Sequence, residues 1–453
     1  MDKGLERHFT GRTIVWYTAP SVMMLVTISL YMIVDGFFVS YFLGTTALAA
    51  VNIVYPVSGM FLAVTIMLSL GASAIVSKRL GEKDTKGSNG GFSFIFAVGM
   101  TFSVTVSVLI NIFLKPVVGL LGAEPVHMGL CLAYGRALFW FSPMFFMQMY
   151  FQTFFGVAGR PILGLATTVT SGVSNLIMDY VFLGIFKWGM AGAGLATGLG
   201  YSIGATVGLI YFIANKKGLH LKKSFKYDWK MLLKSCTNGS SEMIGNMANA
   251  LTTLLFNLAM VKYYGSDGVA AITIVLYFQF IFSSIHMGYA VGVSPIIAFK
   301  YGEKNLPQLR HIMKISLILV IGNSLIIYVL SKLSAGYLTG IFARGESSVY
   351  NLAMSGFVIF GLSFLFNGIN IFASAWFTAL SNGVISAVIS IMRTFVFILI
   401  AIVTLPRIFG AFGIWMAMPL AELLGMGVSI FFLVKYASVY GYGKSVRGKE
   451  PKV

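Results

Sequence analysis

Residues 14–42 read IVWYTAPSVMMLVTISLYMIVDGFFVSYF, with one carboxylate, Asp35, in an otherwise apolar run. A helix needs about 20 apolar residues to cross a bilayer, and this run exceeds that length. Residues 162–185, ILGLATTVTSGVSNLIMDYVFLGI, place Asp179 in the same setting. An acid at the centre of a membrane helix costs about 2.5 kcal/mol or more, and such acids usually mark ion or proton pathways. The two runs therefore predict a membrane protein with an ion-handling site.

The rest of the chain has the same apolar character. Of its 453 residues, 57% are hydrophobic and only 10% are charged, and the mean hydropathy is +0.86. Soluble domains carry about 25% charged residues. The first apolar run is too long for a cleavable signal peptide. Cys131 and Cys236 form neither a disulfide framework nor a metal-binding motif. The composition therefore predicts an all-α, multi-pass membrane protein.

Twelve runs are long and apolar enough to be membrane spans. The predicted spans are roughly 14–38, 51–77, 92–114, 130–155, 161–185, 190–213, 236–261, 269–298, 312–334, 350–376, 384–405 and 412–435.

The distribution of lysine and arginine predicts the orientation of these spans. With the N-terminus inside, 24 of the 32 basic residues fall in inner segments and six in outer segments, while Arg136 and Arg393 fall within spans. Inner loops of membrane proteins are enriched in lysine and arginine. We therefore expect both termini in the cytoplasm and the chain in a bacterial cytoplasmic membrane.

The net charge of +18 has a plain explanation in this setting. Most basic residues lie in loops that face lipid headgroups, including the lysine-rich linker 214–235. No basic patch is interleaved with aromatic residues in the way that nucleic-acid binding requires. The charge therefore predicts contact with membrane lipid and none with nucleic acid.

A single shift of 221 residues aligns the two halves of the chain. The aligned pairs include Gly44 with Gly265, Ala49 with Ala270, Ile53 with Ile274, Gly71 with Gly292, Gly81 with Gly302, Glu82 with Glu303, and Gly189 with Gly410. Six spans per half give both halves the same orientation, which predicts two six-helix bundles related by pseudo-twofold symmetry along the membrane normal. The predicted division is an N-lobe (1–213), a cytoplasmic linker (214–235), a C-lobe (236–436) and a basic cytoplasmic tail (437–453).

Several motifs occur in a recognisable order. Pro20 and Asp35 precede LGTTALAA at 43–50, GAS at 71–73 and LGEKD at 80–84 in the first half; GVSPII at 292–297 and YGE at 301–303 follow in the second. Together they resemble the multidrug and toxic compound extrusion (MATE) family, especially its DinF-like bacterial branch. The resemblance covers residues 12 to 440.

This resemblance implies a V-shaped exporter made of two six-helix bundles. It implies antiport without a cofactor, in which H+ or Na+ enters while amphipathic, often cationic compounds leave. In DinF-like members the coupling site matches Asp35, Asn175, Asp179 and Thr197 of this chain. An alternative within the wider superfamily is a flippase for lipids or polysaccharide precursors, whose central cavity tends to be basic.

The residues themselves support an ion site in the N-lobe. Asn175 and Asp179 are four residues apart and share a helix face with Ser171, while Asp35 comes from another helix. Two neighbouring carboxyls in a low dielectric do not both ionise cheaply, so the pair can hold a proton near neutral pH. With the oxygens of Asn175 and Thr197, the same group could instead bind Na+. No other metal is expected.

The repeat restricts this site to one lobe. The shift of 221 maps Asp35, Asn175, Asp179 and Thr197 onto Phe256, Val396, Ile400 and Met418. The scaffold is duplicated and the acids are not, so we expect ion coupling in the N-lobe alone.

Further polar residues in apolar spans are candidates for a substrate cavity: Tyr31, Gln148, Gln152, Glu242, Asn246 and Gln279. Glu242 could attract a cationic compound, or it could be an acid favoured by the dipole near a helix N-terminus. Arg393 and Glu422 are predicted to form a structural ion pair in the interior of the C-lobe.

No Gly-x-x-x-x-Gly-Lys-Ser/Thr pattern and no catalytic His-Glu-x-x-His or Ser/His/Asp arrangement is present. The sequence therefore predicts a secondary transporter, not an enzyme and not driven directly by ATP, with small amphipathic molecules as its partners and a monomer as the default state. A channel or an intramembrane enzyme would be the rival outside the transporter class.

Overall fold

The computed structural model describes residues 4–215, 218–343 and 347–443, and α-helices dominate these residues. The helices are α1 (Gly11–Leu43), α2 (Thr45–Gly81), α3 (Thr85–Leu120), α4 (Pro125–Trp140), α5 (Ser142–Val157), α6 (Pro161–Asp179), α7 (Gly189–Ala214), α8 (Trp229–Gly302), α9 (Leu306–Ala343), α10 (Ser347–Phe360), α11 (Phe364–Ala379), α12 (Gly383–Ile391), α13 (Ile398–Phe409) and α14 (Ala411–Lys435). Short π-helical segments, Tyr180–Ile185 and Met392–Phe397, join α6 to the loop before α7 and α12 to α13.

The 74-residue helix α8 contains two spans, because it breaks at Gly265, where φ is 59° and ψ is −141°. Positive φ of this kind is open to glycine and strained for other residues. Helices α4 and α5 form one span bent by 52°. Counting α8 as two spans, and α10 with α11 and α12 with α13 as one each, the described part of the chain has twelve helical stretches long and apolar enough to cross a membrane. The predicted all-α fold with twelve spans is confirmed.

The sequence predicted an unbroken fourth span at 130–155, and the structure interrupts it at Phe141. Pro143 has no N–H to bond the carbonyl of Phe139 one turn earlier. The hydroxyl of Ser142 donates to that carbonyl instead, at 2.8 Å. The missing backbone hydrogen bond at Pro143 lets the helix bend here. The hydroxyl of Ser142 satisfies the carbonyl that the proline leaves free.

The linker between the lobes is more ordered than a solvated loop. Its backbone N–H groups at His220 and Lys222 donate to side chains of α3, Asn89 at 3.0 Å and Ser93 at 2.8 Å. Helix α8 begins at Trp229, seven residues before the seventh span was predicted to start at 236. Residues 216–217, 344–346 and 444–453, which include most of the predicted tail, lie outside the described residues. The domain boundaries given above remain a prediction.

The internal repeat is visible in the backbone. Gly44, at the end of α1, has φ of 86°, and its partner under the shift of 221 is Gly265, at the break in α8. Lys83 and Lys304 form a second such pair, with φ of 62° and 57°. Non-glycine residues seldom adopt positive φ, so its recurrence at equivalent positions reflects two copies of one fold.

Each lobe holds two apolar clusters with a polar layer between them. In the N-lobe, one cluster includes Phe92 and Phe154, and the other includes Val39 and Leu183. The C-lobe repeats the arrangement, with Trp376 in one cluster and Trp415 in the other. The charged residues predicted from the sequence lie in helix segments between these clusters.

The lobes approach most closely near the start of α1 and the end of α2. A Cβ atom at Gly71 would collide with the carbonyl oxygen of Ser235 and lie 2.9 Å from the nitrogen of Gly239. The symmetric contact is Gly292, where a Cβ atom would lie 3.0 Å from the Cα atom of Thr18. Because the shift maps Gly71 onto Gly292 and Thr18 onto Gly239, one contact is built twice. Backbones in membranes approach this closely where small residues permit it.

The segment before α1 crosses to the C-lobe. Phe9 is fully buried and its backbone N–H donates to Gln308 Oε1 at 2.9 Å, while Gln308 Nε2 donates to the Phe9 carbonyl at 3.1 Å. Leu5 is buried in the same C-lobe cluster. The start of the N-lobe is therefore anchored to the partner lobe.

We expect Gly71→Ala to lower the midpoint of thermal unfolding in detergent, since the added methyl group meets backbone atoms of α8 that cannot move independently. Overpacking of this type costs about 1–3 kcal/mol. Gly59→Ala is the matched control, because it lies on the same helix and no atom is within 4 Å of its added Cβ. Equal unfolding midpoints for the two variants would contradict the close contact.

A second prediction concerns the ion pair between Arg79 and Asp228 (2.9 Å), which joins the end of α2 to the linker. Burial acts to raise the pKa of Asp228, but hydrogen bonds from Arg79 and from the backbone N–H of Met231 outweigh it and leave the pKa below its ordinary value. The pair is partly exposed, so its contribution is about 1 kcal/mol or less. A depressed pKa gives stability that is present at neutral pH and lost as the pH falls through the folded-state value. The stability gap between the parent protein and Asp228→Asn should therefore be largest near pH 7 and close towards pH 3; an unchanged gap would contradict the assignment.

Candidate functional site

Three of the four residues predicted for the ion site meet in the N-lobe. Asp35 extends from α1, and Asn175 and Asp179 extend from the last turn and a half of α6. The carboxyl of Asp35 interacts with the side chains of both Asn175 and Asp179. Asp179 has no exposed surface, and Asn175 is 4% exposed. Asp35 is half-buried. The two acids are therefore neighbours, and only Asp179 is fully enclosed.

The polar atoms of this group are left without ordinary partners. Within the described residues, both carboxyl oxygens of Asp179, Oδ1 of Asp35 and both amide atoms of Asn175 are buried and lack a hydrogen bond of good geometry, so their polar interactions are with one another. Buried polar groups are otherwise hydrogen-bonded in the large majority of cases. A cluster of unsatisfied oxygens on this scale is suited to a shared proton, to water or to a small cation.

Local helix geometry brings the group together. Helix α6 ends at Asp179, where the chain changes to π-helical geometry, a feature common at functional sites. On the facing helix α7, Gly200 lets the backbones approach, since its added Cβ would lie 3.0 Å from the Cβ of Asn175. One turn along, Gly204 faces the hydroxyl of Ser171 in the same way, at 2.9 Å.

Sequence reasoning missed the tyrosines around the acids. The phenol of Tyr134, from α4, lies within electrostatic reach of Asp35 and Asp179, and that of Tyr201, from α7, within reach of Asp35. Tyr31, which was predicted for the cavity, is also within reach of Asp35, and its ring packs against Gly172. A tyrosine in an apolar span was the available signal, but it did not distinguish Tyr134 and Tyr201 from lipid-facing tyrosines.

The remaining N-lobe candidates differ in their surroundings. The hydroxyl of Thr197 donates to the carbonyl of Ala193 on its own helix, at 3.1 Å, so its described bond is not to the acids. Gln148 and Gln152 are both 6% exposed, and their Oε1 atoms are buried without a hydrogen bond in the described residues. Gln148 lies against Gly204, on the same side of α7 as Ser171. The unsatisfied polar surface thus continues from the acids to α5.

The C-lobe contains a different charged group. Asn370 and Asn367 donate their side-chain amides to the carboxylate of Glu422, at 2.7 Å and 3.1 Å. Arg393 Nε lies 3.6 Å from Glu422 Oε1. Glu422 is 3% exposed, so this is a nearly buried carboxylate with a hydrogen bond to each oxygen and a cation beside it.

The other C-lobe candidates lie on α8. Glu242 is half-buried and within electrostatic reach of Arg393. The amide of Asn246 donates to the backbone carbonyl of Glu242 at 2.9 Å, which commits it to its own helix. Gln279 is half-buried on the second half of α8.

The two lobes therefore offer different chemistry. The N-lobe site has two carboxyls with unsatisfied oxygens, whereas the C-lobe carboxylate of Glu422 is fully engaged. Within the described ranges, no three His, Cys, Asp or Glu side chains cluster as a metal site. Two carboxyls and one amide suit a proton or a monovalent cation better than a tightly held divalent metal.

Twelve membrane-crossing helices in two equivalent lobes, each with a buried charged layer, define a membrane transporter. The profile of the MatE family matches residues 20–181 and 243–403, which covers most of both lobes, and the chain belongs to this family.

Individual relatives are distant in sequence and close in structure. The multidrug export protein MepA of Staphylococcus saprophyticus is 21% identical over 420 residues, which cover 92% of each chain. A MATE protein solved in complex with MaL6 has a TM-score of 0.92 at 18% identity, covering 98% of this chain and 100% of that one. The Vibrio cholerae MATE transporter VcmN, in a mutant form, has a TM-score of 0.88 at 18% identity, covering 94% and 97%.

We expect Asp179→Asn to unfold at the same temperature as the parent protein or a few degrees higher at pH 8, because it removes one of two adjacent buried acids and no satisfied hydrogen bond. Asn370→Leu is the contrasting control, and it should unfold at a lower temperature because it deprives Glu422 of a donor. The measurement is thermal unfolding of purified protein in detergent. A large loss of stability in Asp179→Asn would show that the acids are structural.

Proposed function

We propose that this chain is a secondary active antiporter of the bacterial cytoplasmic membrane that exports amphipathic, mostly cationic organic compounds. Inward movement of H+ or Na+ at Asp35, Asn175, Asp179 and Thr197 would drive export. The hydroxyl of Thr197 donates to the carbonyl of Ala193, and its oxygen keeps lone pairs for a cation. The observation that carries the proposal is the cluster of buried, unsatisfied carboxyl oxygens in one lobe of a duplicated scaffold. Membership of the MatE family and the multidrug export named for the MepA relatives agree with it.

The site couples to transport through its charge. With the acids ionised, two like charges lie close together in an otherwise apolar bundle, and a proton or cation entering between them relieves the repulsion. Asp35 and Asp179 come from different helices, so their attraction for a shared ion changes the packing of α1 against α6. The ion therefore favours one arrangement of the N-lobe helices over another.

The interface between the lobes supplies the motion. The close contacts at Gly71 and Gly292 continue about three turns along to Gly81 and Gly302, where an added Cβ atom would collide with the carbonyl oxygens of Phe299 and Lys78. If both termini lie in the cytoplasm, as the basic residues predict, this interface closes the inner side of the cavity. Rocking of the lobes about it would expose the cavity to each side in turn. Ion entry from outside would weaken cargo binding, and ion release inside would restore it.

The proposal is tested in proteoliposomes that contain the purified protein and ethidium as a fluorescent cation. A pH step or a Na+ step should each be applied alone, and the effective one identifies the coupling ion. Asp35→Asn should abolish gradient-driven movement of ethidium, because an amide does not take up and release a proton or balance a cation.

Glu124→Gln is the matched control, since Glu124 is an exposed acid at the start of α4 whose side chain makes no capping hydrogen bond. It should transport ethidium as the parent does. Gradient-driven transport that survives in Asp35→Asn would reject the coupling role, and no response of the parent protein to either gradient would reject antiport.

A further inference from the structure

Each lobe is preceded in the chain by a segment that packs against the opposite lobe. Residues 4–10, named the N-terminal strap, lead into α1, and residues 218–228, named the linker strap, lead into α8. Leu5 and Phe9 of the N-terminal strap are buried in a C-lobe cluster. Leu219 of the linker strap is buried in an N-lobe cluster. The two straps therefore join the lobes in a reciprocal way.

Equivalent basic residues hold the two straps. Arg79, at the end of α2, pairs with Asp228 of the linker strap at 2.9 Å. The shift of 221 maps Arg79 onto Lys300, at the end of α8, and the ammonium of Lys300 donates to the backbone carbonyl of Glu6 at 3.4 Å. Lys300 is only 2% exposed and also pairs with Glu303 at 2.8 Å. A basic residue at the same place in each lobe thus contacts the strap that leads into the other lobe.

The N-terminal strap is held most firmly at Phe9. The backbone N–H and carbonyl of Phe9 both pair with the side chain of Gln308 on α9, at 2.9 Å and 3.1 Å, and the ring of Phe9 is fully buried. The other end of the strap lies against the N-lobe, since a Cβ atom at Gly159 would lie 2.9 Å from the Cα atom of Gly4. The N-terminal strap therefore contacts both lobes at once.

Separation of the lobes would affect the two straps differently. The linker strap is continuous with α7 and α8, so the chain itself keeps it joined to both lobes. The N-terminal strap continues into α1 of the N-lobe, and non-covalent contacts join it to the C-lobe. Because α1 and α9 belong to different lobes, parting of the lobes at this end pulls Phe9 away from Gln308.

We propose that the N-terminal strap is a releasable latch on the inner side of the molecule, and that the pair between Phe9 and Gln308 must break before the cavity opens inwards. This inference rests on the proposed function, which requires the lobes to rock. The latch favours the arrangement in which the inner side is closed, so its strength sets how often the lobes part there.

The two cysteines of the chain can report on the latch. Cys236 lies on α8, next to the Ser235 carbonyl that meets Gly71, and it packs against an N-lobe cluster. It belongs to one lobe and is partly covered by the other, so parting of the lobes at this end uncovers it. Cys131 is fully buried inside the N-lobe and should react only if that lobe unfolds. The two thiols together distinguish opening of the interface from loss of the fold.

The test is the rate at which N-ethylmaleimide alkylates each cysteine of the purified protein, measured by mass spectrometry. Gln308→Ala removes both hydrogen bonds to Phe9, and it should speed alkylation of Cys236 by roughly fivefold or more while Cys131 stays protected. Phe9→Ala removes the buried ring and should have the same effect. Lys314→Ala is the matched control, because Lys314 is an exposed residue of the same helix, and it should keep the parent rates.

A strap that serves only to stabilise the fold predicts a different pattern. Parent-like alkylation of Cys236 in both Gln308→Ala and Phe9→Ala would overturn the latch. Faster alkylation of both cysteines in these variants would show general loosening of the protein, and it would also count against the latch.

Failure of the proposed function gives a distinct result. Gradient-driven transport of ethidium by the parent protein, with alkylation of Cys236 unchanged in Gln308→Ala, would refute only the latch. Faster alkylation of Cys236 in Gln308→Ala, with no ethidium transport by the parent under either gradient, would refute antiport and leave the latch in place.

Discussion

The cost of placing charge inside an apolar bundle is the constraint on which this structure depends. Each lobe meets it differently. The N-lobe leaves Oδ1 of Asp35 and both carboxyl oxygens of Asp179 without a well-formed hydrogen bond, whereas the C-lobe surrounds Glu422 with two amides and a guanidinium. The first arrangement remains sensitive to a proton or a cation, and the second is close to electrically complete.

The symmetry of the scaffold makes this difference informative. Backbone features recur under one shift: the positive φ of Gly44 and Gly265, and the interlobe contacts of Gly71 and Gly292. These positions carry the packing that any two-lobed protein of this design requires. The charged residues do not recur, so they are the part of each lobe that was specialised. Small residues at the interface let the lobes meet backbone to backbone, which gives the pair a compact surface about which to rock.

The anchoring of the N-terminal segment adds a constraint on that motion. Phe9 is buried in the C-lobe and paired with Gln308, while the helix that follows it, α1, carries Asp35. The helix that holds an acid of the proposed ion site is thus tied at its start to the opposite lobe. A change in the packing of α1 within the N-lobe has a direct mechanical connection to the lobe interface.

The sequence alone determined the class of protein, the twelve spans and the duplication, because hydrophobic length and a constant residue shift are properties of the chain itself. It also singled out Asp35, Asn175 and Asp179, since acids in apolar runs are costly wherever they fold. It did not place the break at Phe141, although Pro143, which causes it, is visible in the sequence, and it did not show the ordered linker beside α3. Nor could it place Tyr134 and Tyr201 near the acids, or show Thr197 bonded to its own helix. Only the tertiary structure decided these points, because which faces of separate helices meet is set by packing between residues far apart in the chain.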